Sequence, residues 1–167
     1  MSNLSSLQDL LVESVKDLYS AESQLLKALP KMANAAAEPA LRHAFETHLE
    51  ETEVHAQRLE EIAELIDASP TGKVCKAMQG LVEEGAETIA EEGKPSIKDL
   101  ALIAAAQKVE HYEISGYGSA RAVAELLGLQ EVVDLLQATL EEESATDESL
   151  TGIAEQIGSA ALTGEEA

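Results

Sequence analysis

Six acidic side chains and two histidines interrupt the apolar stripes of this 167-residue sequence where a packed helix wants hydrocarbon. Leu4, Leu7, Leu11, Val15 and Leu18 recur at alternating steps of three and four, a rhythm that asks for an apolar residue at 22 before Leu25 and Leu29. The chain supplies Glu22. Leu136 and Leu140 are followed at the next two seam positions by Glu143 and Asp147, before Leu150, Ala154 and Ile157 resume. Glu110 and Glu113 stand one turn apart on the stripe that joins Ile103 and Ala106 to Tyr117 and Ala120. His48, Glu51 and His55, spaced by three and four, project from one side between Phe45 and Leu59.

Desolvating an ionised carboxylate costs several kcal/mol even after relaxation, and crowding like charges adds to it. Basic residues do not share these seam segments: Lys108 falls off the stripe and Arg121 lies two turns beyond Glu113. Protons or metal cations must therefore neutralise the acids. Two divalent ions carry four charges, enough for four carboxylates with neutral histidine as nitrogen ligand. The six acids exceed that by two, so one or two of them are protonated or stand behind the ligands, or one helix is turned by a residue. The aromatics cluster near the same positions: Tyr19 three before Glu22, Phe45 three before His48, Tyr112 beside Glu113 and Tyr117 four after it. Rings there would exclude water and offer phenol hydrogen bonds, or simply fill the widest layer of the core.

The elements that must position these groups are helices. The first is expected over about 3–36, with Pro30 either kinking it or ending its first half. A second, over about 39–68, carries Leu41, Phe45, Leu49, Leu59, Ile62 and Ile66 to a stop at Ser69-Pro70-Thr71-Gly72. A shorter glycine-containing connector over about 73–92 precedes a third long helix, about 96–128, with Ser96 as N-cap, Asp99 at N3 and Gly128 as its stop. The fourth runs over about 130–160, before a polar tail from Thr163 to Ala167. Placing Leu49, Leu59, Ile62, Ala63 and Glu64 over Leu140, Leu150, Ile153, Ala154 and Glu155 gives one constant offset, which suggests an internal duplication of a helical pair.

Composition agrees with one all-α domain over 1–167: 45% apolar residues, mostly Ala and Leu, 2% aromatics and four prolines. A net charge of −21 repels phosphate backbones and anionic lipid headgroups, so nucleic acid and membrane surfaces are not expected as partners. The single Cys75 permits no internal disulfide, fits a small buried apolar position, and has no histidine near it in sequence. No GxSxG stands in the chain, His43 reads as a surface residue and His111 as an interface residue, which disfavours a nucleophile-based hydrolase. The start lacks a signal-peptide pattern and no stretch reaches membrane-spanning length, so a cytoplasmic address is expected. Apolar outer positions of the connector would suit a homodimer.

Glu22 on one helix, a Glu and His pair on the next, Glu110-His111-Tyr112-Glu113 on the third and Glu143 with Asp147 on the fourth resemble the ferritin-like di-metal carboxylate pattern. Leu18-Tyr19-Ser20-Ala21-Glu22, Ala28-Leu29-Pro30-Lys31-Met32, the stretch from His48 to Leu59 and the run from Glu110 to Gly118 are similar to the YciE/YciF family of bacterial stress-associated ferritin-like proteins, over nearly the whole chain. The resemblance implies a ferritin-like four-helix bundle with an extra short helix in its crossover, holding two metal ions. Iron is the first expectation, and manganese, zinc or calcium the alternatives. Glu22, Glu51, Glu110 and Glu143 are the expected core ligands and His55 the nitrogen donor, with Glu113, Asp147 and His48 as alternates. The chain departs from the pattern where Thr52, not Glu, stands three before His55, and where Asp147 takes an expected histidine position. Oxidation of Fe(II), or consumption of peroxide or oxygen, is the implied activity; a non-catalytic metal-binding or structural stress protein is the alternative.

Overall fold

The structure, a computed structural model, describes residues 4–163. The first helix begins at Leu7, later than the start expected near residue 3, because Ser6 caps it; the tail beyond Thr163 lies outside the described residues. Five helices and no strand occur among them: α1 Leu7–Ala35, α2 Pro39–Leu65, α3 Lys76–Ala90, α4 Pro95–Leu126 and α5 Gln130–Thr163. Helix α1 packs on α2 and α4, and α5 on the same two, so the four long helices touch in a closed ring. The shorter α3 lies against α1 and α4. No helix among the described residues is long and apolar enough to cross a membrane.

Local chemistry sets most helix ends. Ser6 caps α1 by accepting from the Asp9 amide, and α1 then continues through Pro30 without ending. Both α2 and α4 close with the same pair of backbone bonds. Ala68 N donates to Ala63 O and Asp67 N to Glu64 O, while Leu129 N donates to Ala124 O and Gly128 N to Glu125 O. That closure needs a left-handed residue, which is Asp67 (φ 52°) in one case and Gly128 (φ 71°) in the other. Helix α2 therefore stops at Leu65, ahead of the Ser69-Pro70 break, whereas Gly128 ends α4 as its residue type foretold.

Two local expectations are corrected. Helix α4 is capped by Lys94 and not by Ser96, with Pro95 in the first turn, where a missing amide costs nothing. Asp99 does not serve a cap box: it is buried and accepts from the amides of Ala37 (3.0 Å) and Glu38 (2.7 Å), tying down the α1–α2 connection. The outer side of α3 is mixed in character. Gln79, Glu83, Glu84 and Glu87 are exposed on it beside Ala77, Ala86 and Ala90, while Leu81, Val82 and Ile89 are half-buried and line an apolar pocket against α1 and α4. Cys75 is buried, caps α3 through Sγ, which accepts from Met78 N at 3.4 Å, and lies 2.8 Å from Tyr112 Oη.

The core divides in two. Leu25, Leu29, Leu41, Phe45, Leu102, Ile103 and Leu150 form one apolar cluster; Leu11, Val15, Leu18, Leu59, Ile62, Tyr117 and Leu136 form the other. Between them lies a polar layer.

Candidate metal centre

The layer is built by the residues that broke the apolar rhythm. On α1, Glu22 follows Leu11, Val15 and Leu18 on the buried stripe and is itself fully buried. On α4, Glu110 and Glu113 share the inner face with Ala106 and Tyr117, and on α5 Glu143 follows Leu136 and Thr139. Helix α2 adds His48 and His55 from the stripe of Phe45, Thr52 and Leu59. All six ligand-type residues are at most 2% exposed.

They converge as two overlapping groups whose ligand atoms lie within 4.8 Å of one another: Glu22, His55 and Glu143, and His48, Glu110, Glu113 and Glu143. Glu143 belongs to both. Its Oε1 is 3.1 Å from His55 Nδ1 and its Oε2 is 3.7 Å from His48 Nε2. His48 Nε2 is 3.3 Å from Glu110 Oε1, and His55 Nδ1 is 3.6 Å from Glu22 Oε1. Many of these atoms lack a hydrogen-bond partner among the described residues: Glu22 Oε2, Glu110 Oε2, both oxygens of Glu113 and Glu143, both nitrogens of His48, and His55 Nδ1. A buried acceptor without a donor is rare and costly, and so many in one place form a donor set in want of cations. The residues could hold a metal ion on that observation.

The electrostatics show the same strain. Burial pushes the carboxyl of Glu113 well above its ordinary value, and the charges of Glu22, Glu143 and Glu110 push it further. Glu110 is raised by burial and then by Glu143. Glu22 is raised chiefly by burial, against the pull of His55. Glu143 is held low although burial opposes it, because His55 and His48 face it. Burial alone would lower His55, but Glu143 and Glu22 outweigh it and lift the imidazole to about 10. Without metal, the layer therefore holds protons that cations would displace.

Support comes from beyond the cluster. His55 Nε2 lies 2.8 Å from Glu142 Oε2, and Arg58 grips the same carboxylate with Nη1 at 2.5 Å and Nη2 at 3.0 Å. With Nε2–H directed at Glu142, Nδ1 is left facing Glu22 and Glu143. Tyr117 Oη donates to Glu22 Oε1 from a fully buried position. Thr52, standing where the general pattern has Glu, is buried and bonds the His48 carbonyl at 2.8 Å.

Two candidate ligands are not brought into the cluster. The Glu51 side chain is 35% exposed, with Oε2 3.5 Å from His48 Nδ1. Asp147 faces His111 Nε2 at 3.3 Å, at the edge of the layer. Four of the six acids converge, and Glu51 and Asp147 stand apart from them. The ring of aromatics does not form: Tyr117 alone bonds a cluster residue, whereas Tyr19 bonds Glu60 on the surface and Tyr112 bonds Asp17. His111 is 69% exposed, outside any interface among the described residues. Sequence reasoning also missed Arg58 and Glu142. Neither interrupts an apolar stripe, and the link between them spans 84 positions.

The family described as Domain of unknown function (DUF892) matches residues 6–163. The chain belongs to this family. It is 44% identical over 153 residues to Protein YciF of Escherichia coli K12, covering 91% of this chain and 92% of that protein. The crystal structure of the E. coli stress protein YciF superposes with a TM-score of 0.91 at 43% identity, over 93% of this chain and 99% of that one. YcfI from Rhodopseudomonas palustris superposes with a TM-score of 0.86 at 39% identity, over 89% and 95% of the two chains. A Xanthomonas campestris pv. campestris protein at 22% identity shares the fold, with a TM-score of 0.76 over 97% of this chain and all of that one.

Proposed function

We propose that this chain is a ferritin-like four-helix bundle that binds two metal ions between its two apolar clusters, with iron the first choice, and that the loaded protein oxidises Fe(II) or consumes peroxide or oxygen under stress. One observation carries the reading: carboxylates and imidazoles from all four long helices meet in a buried layer and leave their ligand atoms unpaired. Glu22 and His55 would hold one ion, His48, Glu110 and Glu113 the other, and Glu143 would span both. A bound iron pair supplies one-electron steps that no side chain here can.

The chain's own residues prepare that chemistry. Glu142 and Arg58 fix the imidazole of His55, and Tyr117 orients Glu22. The apolar clusters on either side keep water out of the layer. Elemental analysis of protein purified without added metal, followed by anaerobic Fe(II) titration, tests the reading. Two equivalents bound, and Fe(II) or peroxide lost when oxidant is admitted, are the expected results; no stoichiometric binding would end it.

A second reading has its own support. The converging set is four carboxylates to two imidazoles, an oxygen-rich mixture that also accepts hard ions such as manganese or calcium without redox turnover. In that case zinc, manganese or calcium would be recovered from the purified protein, and metal would raise its melting temperature without any loss of peroxide.

A further inference from the structure

Glu51 lies outside the buried ligand set but touches it. It walls an open pocket of about 260 Å³ between α2 and α5, whose lining includes His43, Thr47, Thr146 and Ser149. Its Oε2 accepts from Thr146 Oγ1 at 3.4 Å and lies 3.5 Å from His48 Nδ1. That nitrogen belongs to a side chain only 3% exposed and has no hydrogen-bond partner among the described residues. The other nitrogen of the same ring reaches Glu110 at 3.3 Å. A carboxylate facing solvent is thus joined to the buried cluster through one imidazole.

The internal repeat explains why the seam is open here. The offset that lays Leu49 and Leu59 over Leu140 and Leu150 also pairs Glu51 with Glu142, His48 with Thr139 and Arg58 with Ser149. The two carboxylates match in side-chain exposure, 35% and 34%. At the Glu142 end, Arg58 donates to Thr139 Oγ1 at 3.2 Å and to both oxygens of Glu142, and so plugs the seam with its guanidinium. At the Glu51 end a serine, Ser149, stands in the arginine's position, and it lines the pocket together with Glu51. Among the described residues Glu51 has no lysine or arginine partner to neutralise it.

We propose that this pocket is the passage by which divalent cations reach the buried centre, with Glu51 taking the ion from solvent and passing it to His48. The proposal rests on the two-metal reading above. No covalent bond is made or broken; the ion exchanges water for a carboxylate oxygen and then for an imidazole nitrogen. A single negative charge in a cleft raises the local cation concentration, and the low-dielectric walls focus it.

Stopped-flow uptake of Co(II), a spectroscopic substitute for Fe(II), tests this on the full chain with Glu51→Gln and Ser149→Arg. Both variants should take up Co(II) about tenfold more slowly, the lower end of what a focusing charge contributes. Both should also release it more slowly by a similar factor, leaving the dissociation constant and the stoichiometry at wild-type values. Ser149→Arg does not remove any ligand and should rebuild the plug seen at Arg58. Uptake at the wild-type rate in Ser149→Arg would overturn the passage while leaving the metal centre standing. Faster release with roughly 10–100-fold weaker binding in Glu51→Gln would make Glu51 a support for His48 instead, and so also overturn it. If the wild-type chain takes up no Co(II), the two-metal reading falls and the passage with it.

Discussion

Replacing Glu113 by glutamine separates two effects that a structural carboxylate would not separate. Both oxygens of Glu113 are buried without partners, and the carboxyl is raised by burial and by Glu22, Glu143 and Glu110. In the metal-free protein the amide keeps the shape and is neutral without having to hold a proton against the solution pH, so Glu113→Gln should stabilise by about 1–2 kcal/mol. For a chain of this length that is a rise of roughly 2–8 °C in Tm. The pH dependence has a fixed sign. Because the folded carboxyl binds its proton more tightly than the unfolded one, its contribution is fully present at acid pH and is lost as pH rises above the ordinary carboxylate value. The advantage of the variant should therefore grow from pH 5 to pH 8. With metal the order reverses. At a free concentration about 100 times its dissociation constant, a divalent ion stabilises the wild-type protein by about 2.7 kcal/mol, or roughly 5–10 °C. A variant binding about 100-fold more weakly gains about 0.4 kcal/mol under the same conditions. Differential scanning calorimetry of both proteins, with chelator and then with Mn(II) or anaerobic Fe(II), measures all four states. A metal-free variant that melts below wild type, or one that gains as much from metal, would refute the reasoning.

Glu142→Ala frees the His55 imidazole from its tether and should weaken metal binding about 10–100-fold without changing the stoichiometry, as read by competition against a chelating dye. Metal affinity should rise with pH between 5 and 8, because His55, Glu110 and Glu113 all hold protons more tightly than usual and cations must displace them. Calorimetric titration in two buffers of different ionisation enthalpy counts the released protons, and a flat profile would contradict the assignment. The glycines of α4 should respond in opposite directions. At Gly116 an added Cβ meets Leu18 Cδ2 at 2.8 Å inside the core, so Gly116→Ala should destabilise by about 1–2 kcal/mol net of the helix propensity it gains. At Gly118 nothing lies within 4 Å, so Gly118→Ala should stabilise by about 0.5–1 kcal/mol. Urea denaturation of the two variants reads the difference.

Burial of Glu22, Glu110, Glu113 and Glu143 was legible in the sequence because the helical period is local. A carboxylate that takes a leucine's place on a stripe must face wherever the leucines face. Asp147, on the same seam, sits at the edge of the layer with one oxygen toward His111 and Oδ1 buried without a hydrogen-bond partner among the described residues, because a seam position fixes a direction from one helix axis and not the distance to the other three. Glu51 is the complementary case: it shares a side with His48 and His55, but lies far enough around α2 to face a pocket.

The sequence by itself determined the helices and the inward carboxylates, since each follows from spacing along one element. Only the tertiary structure decided which acids converge, that Asp99 holds the α1–α2 connection instead of capping α4, and that Arg58 closes one end of the α2–α5 seam while Ser149 lines a pocket at the other. These outcomes depend on how helices distant in sequence rotate and pack against one another. That rotation is set by interdigitation of side chains across the core, which no pattern within a single helix encodes.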